Sequence, residues 1–126
     1  MNPFRNMLLV VAILAAPCRA ETLICSFEQK QICNGGQPCE PMKVGESWTA
    51  VWIDRNKIAR CEGDKCDFYD MTASGDYKGF RTFEAPSRGM FIKVGPEGAA
   101  MEVASLATMA IISHGICVKG DPPASR

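Results

Sequence analysis

The chain carries one histidine, no net charge and few aromatic side chains, 8% of its residues, and each shortage closes off a class of function. Fourteen basic residues balance fourteen acidic ones across 126 positions. That balance lacks the cation excess by which proteins neutralise phosphates, so no nucleic-acid partner is expected. The lone His114 leaves little room for histidine-built metal sites. Long apolar runs are also missing. The longest, Met7–Ala16, has ten residues, about half of the roughly 20 that a membrane-spanning helix needs. No Cys-x-x-Cys pair, Gly-x-Ser-x-Gly elbow or glycine-rich phosphate loop occurs, so the usual sequence signs of thiol redox, hydrolase and nucleotide chemistry are absent. The remainder is apolar enough to fold, at 47% hydrophobic, and too short for two ordinary domains.

Cysteine is the residue present in surplus. Seven is an odd number for a chain whose thiols pair after export. The N-terminus explains the odd one. Residues 1–20 have the form of a secretory signal peptide: Arg5 supplies the positive segment, Met7–Ala16 the apolar one, and Cys18-Arg19-Ala20 puts small residues at −3 and −1. A buried N-terminal helix fits less well because nothing caps it. A lipoprotein acylated on Cys18 fits poorly because Pro17 adjoins the cleaved bond. Cleavage after Ala20 would remove Cys18, Arg5 and Arg19, leaving 106 residues with twelve basic and fourteen acidic side chains, a charge of −2. The expected location is periplasmic or extracellular, with no membrane span once the leader is gone.

Six cysteines remain, and their spacing ranks the pairings. Cys33 and Cys39 bracket the turn-rich Asn34-Gly35-Gly36-Gln37-Pro38, and Cys61 and Cys66 bracket the hairpin-like Glu62-Gly63-Asp64-Lys65. Cys25 and Cys117 are left to tie the first strand to the last. Zinc is the competing reading, but its paired cysteines favour two to four residues between them, two most often, whereas the gaps here are five and four and no histidine lies near either pair. No metal or cofactor is expected.

Turn signals recur from Gly35-Gly36 to Gly115 at intervals typical of short antiparallel strands. Between them the side chains alternate. Leu23, Cys25 and Phe27 share one face, Trp48, Ala50 and Trp52 another, and Met90, Ile92 and Val94 a third. The expected fold is all-β, a small disulfide-stapled antiparallel barrel or sandwich of six to eight strands. Its expected core is Phe27, Trp48, Trp52, Phe68, Phe80, Phe83, Ile92, Val94 and Ile111. One segment is ambiguous. Val103, Leu106, Ala107, Ala110 and Ile111 also fit a helical stripe, so an α+β fold with a helix around 100–112 is the alternative. The domain is expected to span 21–118, with 119–126 a flexible tail.

Few residues suggest chemistry. Ser113 adjoins His114, but neighbours on a strand face opposite ways, and His114 is expected in a turn before Gly115. Asp64, Asp67 and Asp70 recur every third residue without the glycine and closing glutamate of a calcium loop, and are expected at a solvated strand edge. Five methionines beyond the leader lack clustering and suit core filling. Arg55, Lys57 and Arg60 form the densest basic patch, near Trp48 and Trp52, and are the expected partner surface.

Two short stretches, Ser74-Gly75-Asp76-Tyr77 and Phe91-Ile92-Lys93-Val94-Gly95, resemble small exported β-barrel inhibitors of lysozyme. The likeness covers about ten residues. That family's aromatic-Trp-x-Lys-Gly run is absent, and the spacing from Ser-Gly to Tyr differs by one, so no membership follows. The expected function is a non-catalytic binding or inhibitor-type module of the cell envelope, with a protein or envelope component as partner. The alternatives are a structural envelope protein, or a hydrolase whose site is invisible in the sequence.

Overall fold

Alternation drives the architecture, and every extended segment finds an antiparallel neighbour. The computed structural model describes residues 21–121; the expected leader 1–20 and the last residues 122–126 lie outside the described residues. Ten strands follow one another: β1 (Thr22–Asn34), β2 (Glu40–Met42), β3 (Ser47–Trp52), β4 (Lys57–Glu62), β5 (Lys65–Asp70), β6 (Thr72–Ala73), β7 (Arg81–Ala85), β8 (Met90–Val94), β9 (Ala99–Leu106) and β10 (Met109–Lys119). They form one sheet in the order β5-β4-β3-β1-β10-β9-β8-β7-β6, with β2 on the far half of β1. The strand count exceeds the expected six to eight, and the class is all-β.

The sheet curls because its two ends belong to one run of chain. β5 pairs with β4, and β6, beginning one residue after Met71, pairs with β7. The Met71 N–H donates to the Asn56 carbonyl at 2.9 Å, which holds the kink where the run changes partners. The result is a nearly closed barrel. With β5 and β6 in one run and β2 off the path, eight staves circle the barrel, a size whose lumen is just wide enough for side chains or one small ligand.

The lumen takes Leu23, Cys25, Phe27, Val51, Ile58, Met71, Phe83, Met90, Ile92 and Val94. A second, smaller apolar cluster lies on the other face of β3 and β4. There Ala50, Ala59 and Cys61 are fully covered by Ile24, Trp48, Cys66 and Phe68. This corrects the expected core. Trp48 and Trp52 do share a strand face, but it is the outer one, because Thr49 pairs with the inward Cys25. Phe68 packs outside with them, and Phe80 is 45% exposed.

The stretch 99–113 is two strands, β9 and β10, joined at Ala107-Thr108 with Ala107 at φ 54°. A helix would have needed Val103 and Ile111 on one face. In the sheet Ala100, Glu102 and Ala104 turn inward, and Val103 turns out. Gly115 is no turn and His114 does not precede one; both lie inside β10. The glycine is required by a close approach: a Cβ there would sit 1.9 Å from the Ser26 carbonyl oxygen, beside the bulge between Phe27 and Gln29. The expected tail also begins too early. Lys119 ends β10, and the Gly120 N–H donates to the Thr22 carbonyl at 3.0 Å.

The three disulfides join Cys25–Cys117, Cys33–Cys39 and Cys61–Cys66, the pairs that spacing favours. Cys25 and Cys117 are direct cross-strand partners on β1 and β10, at a sequence separation of 92.

Candidate functional site

The start of β1 and the finish of β10 mark one end of the barrel, and a short hairpin projects from it. Tyr77 and Phe80 exchange backbone hydrogen bonds of 3.0 and 2.9 Å across Lys78 and Gly79. Both turn residues are left-handed, at φ 53° and 80°, which is the geometry of a type I′ turn. The strain of a non-glycine residue at Lys78 is offset nearby. The Gly79 N–H donates to Asp76 Oδ1 at 2.8 Å, and Gly79 lies close against Pro96. Below the tip, the Ser74 N–H donates to the Thr82 carbonyl at 2.8 Å and leads into β7.

This backbone presents an aromatic and basic surface. Tyr77 is 71% exposed, the most of any large apolar side chain in the described residues, and Phe80 stands beside it. Lys78 Nζ lies 5.4 Å from the Tyr77 ring centre, and Lys93 Nζ from β8 lies 6.0 Å from that of Phe80. Each ring therefore carries a cation at its face, a weak attraction of about 0.5–1 kcal/mol at an exposed site. A shallow recess of about 400 Å³ runs between them, with Ser74 and Thr82 on its walls.

The hairpin is anchored where β7 begins. Arg81 donates from Nη1 and Nη2 to the two carboxylate oxygens of Glu21, at 2.7 and 3.3 Å. Those hydrogen bonds hold the Glu21 carboxyl below its ordinary value near 4.5, against the raising effect of partial burial, with the charges of Arg81 and Lys119 adding to the lowering. The same guanidinium lies 5.3 Å from the Phe83 ring centre. The first described residue is thereby tied to the strand that carries the tip.

The expected basic surface is not brought together. Lys57 and Arg60 are three apart on β4 and so face opposite ways. Lys57 pairs with Asp70 outside, whereas Arg60 turns into the barrel and lies 3.3 Å from Glu102. Arg55 sits in the one-turn segment Ile53–Arg55, its guanidinium 5.4 Å from the Trp52 ring centre. Of these surface residues, the sequence places Phe80 in the expected core, holds Tyr77 and Lys93 only within the two stretches that resemble lysozyme inhibitors, and gives Lys78 no role. Their signal was an aromatic on each side of Lys-Gly, and the stronger turn composition of Ser74-Gly75-Asp76 masked it.

The remaining candidates are also dispersed. Ser113 is buried, while His114 is exposed and lines an outer notch with Gln29 and Met42. Asp67 lines the lumen at the far end of the barrel, and Asp70 holds Lys57. Among the described residues no group of three or more His, Cys, Asp or Glu side chains is placed to hold a metal. No described helix is long and apolar enough to cross a membrane. Comparison with protein-family models, curated proteins and solved structures finds no match for this chain.

Proposed function

We propose that the protein is an exported, non-catalytic binding module that docks on a macromolecular partner through the Tyr77–Phe80 hairpin. The observation that carries this reading is the exposure of two adjacent aromatic rings on a tip that has little conformational freedom. An apolar ring held in water gains about 25 cal/mol for each Å² that a partner covers. Because the type I′ turn and the Asp76 bond already fix the tip, little ordering entropy is lost on docking. Lys78 and Lys93 favour a partner whose apolar recess has an acidic rim.

Export is part of the proposal and has two supports: the leader-like residues 1–20 and the three disulfides, which persist in oxidising compartments. The resemblance of Ser74–Tyr77 to lysozyme inhibitors lies on this hairpin, so inhibition of lysozyme is the first activity to assay. The general test is partner capture from a native envelope extract, comparing the wild-type chain with Tyr77→Ala/Phe80→Ala and with Arg55→Ala/Lys57→Ala. Capture lost only with the hairpin variant supports the reading. Capture unchanged by the hairpin variant contradicts it.

A further inference from the structure

The opposite end of the barrel is built from polar layers, which a simple structural lumen does not need. Across β3, β4 and β5 the inward residues line up in rows. Ser47, Glu62 and Lys65 form the outermost row, Thr49, Arg60 and Asp67 the next, and Val51, Ile58 and Tyr69 the first apolar one. All of these polar residues but the buried Thr49 border a cleft of about 530 Å³, inside the range of small-ligand sites. Ala104 and Ile111 face them from β9 and β10, and Arg88 closes the side, its guanidinium 5.6 Å from the Tyr69 ring centre.

Beneath the cleft the polar groups continue into the interior. Glu102 is 2% exposed, accepts a hydrogen bond from the Thr49 hydroxyl at 3.2 Å, and pairs with Arg60 at 3.3 Å. Ser113 is its cross-strand neighbour, equally buried, and its Oγ has no hydrogen-bond partner. Burying a carboxylate and an unsatisfied hydroxyl opposes folding unless some other interaction uses them. Both kinds of bonding capacity are left over. The Glu102 carboxylate has lone pairs beyond its two contacts, and the Arg60 fork has N–H groups beyond the one facing Glu102.

The charges decide the ligand class. Arg60, Lys65 and Arg88 are matched by Glu62, Asp67 and Glu102, so the cleft and its floor carry no net charge. An ionic ligand would meet as much repulsion as attraction there. A hydroxyl both donates and accepts, so a ligand rich in hydroxyls satisfies carboxylates and guanidinium groups together. We propose that the barrel mouth binds a neutral saccharide of one or two rings, with Asp67 and Arg60 as its principal hydrogen-bonding partners. This site is distinct from the hairpin, and the two fail independently.

The test is a titration of the disulfide-intact protein with glucose, N-acetylglucosamine, maltose and chitobiose, followed by amide chemical shifts. Citrate and glucose 6-phosphate serve as anionic controls. The expected result is saturable shifts confined to the mouth residues of β3, β4, β5 and β9 with at least one neutral sugar. Asp67→Ala, an exposed position whose loss leaves the fold intact, should weaken binding about tenfold, the loss of roughly one charged hydrogen bond. Shifts with the anions alone, shifts elsewhere on the barrel, an unaltered affinity in Asp67→Ala, or no saturable shift with any neutral sugar would each overturn the proposal.

Discussion

The two ends of this barrel solve different problems with the same strand pattern. At the end where β1 starts and β10 finishes, the lumen is apolar, and the chain is tied by Cys25–Cys117 and by Glu21 to Arg81. At the mouth the inward positions are charged, and Cys61–Cys66 spans a tight turn between β4 and β5. The tethered end uses its core and long covalent link for stability, so it can expose the rigid hairpin. The mouth keeps buried polar groups that cost stability. A barrel whose ends differ this way should lose most when the tethered end is cut, and should gain or break even when mouth polarity is replaced.

The largest effect is therefore expected from Cys25→Ala/Cys117→Ala. The loop-entropy model gives about 4–5 kcal/mol for closing a loop of this length and about 2 kcal/mol for a short one. Calorimetry of this variant beside Cys61→Ala/Cys66→Ala tests the ranking, and equal losses would contradict it. The next effect is at the mouth. Arg60→Met leaves Glu102 buried with its cation gone and should cost about 2–3 kcal/mol, moderated because Arg60 is partly exposed. Adding Glu102→Leu should recover most of that loss, since an apolar pair replaces a buried ionic one at little cost. Urea unfolding of the two single variants and the double variant measures it; a double variant as unstable as Arg60→Met would contradict the reading.

Gly115→Ala tests the seam between β1 and β10. Its methyl group would meet the Ser26 carbonyl, and forcing the strands apart should cost about 1–3 kcal/mol in thermal unfolding. The smallest effect concerns Glu21. Its carboxyl titrates lower in the folded chain than in the unfolded one. Its contribution is thus present at neutral pH and is lost as pH falls below about 4.5 through the folded value. Glu21→Gln should lower stability by under about 1 kcal/mol at pH 7, and the difference should vanish at acid pH. A difference that grew on acidification would have the wrong sign.

Much of this fold is legible in the order of the amino acids alone. The short cysteine loops and the alternation at Leu23–Phe27 and Met90–Val94 point directly to paired strands. Which face of β3 turns inward is not legible, because both faces are covered: Thr49 and Val51 are buried on one and Ala50 on the other. Trp48, Ala50 and Trp52 look more like a core than Thr49 and Val51 do, yet the pairing of Thr49 with Cys25 decides otherwise. The same decision sends Arg60 inward and dissolves the expected basic patch. Ala99–Ser113 is ambiguous because its alanines suit a helix; in the sheet Ala100 and Ala104 turn inward on either side of the buried Glu102. The hairpin was hidden because Lys78 adopts a turn conformation usually given to asparagine or glycine.

In the proposed function the tethered end, and not the mouth, meets a macromolecular partner. A photoreactive benzophenone side chain placed at Tyr77 in one variant and at Lys65 in another tests this in a native envelope extract. A discrete cross-linked adduct is expected from position 77 and none from position 65. An adduct from position 65 alone, or identical adducts from both, would contradict it.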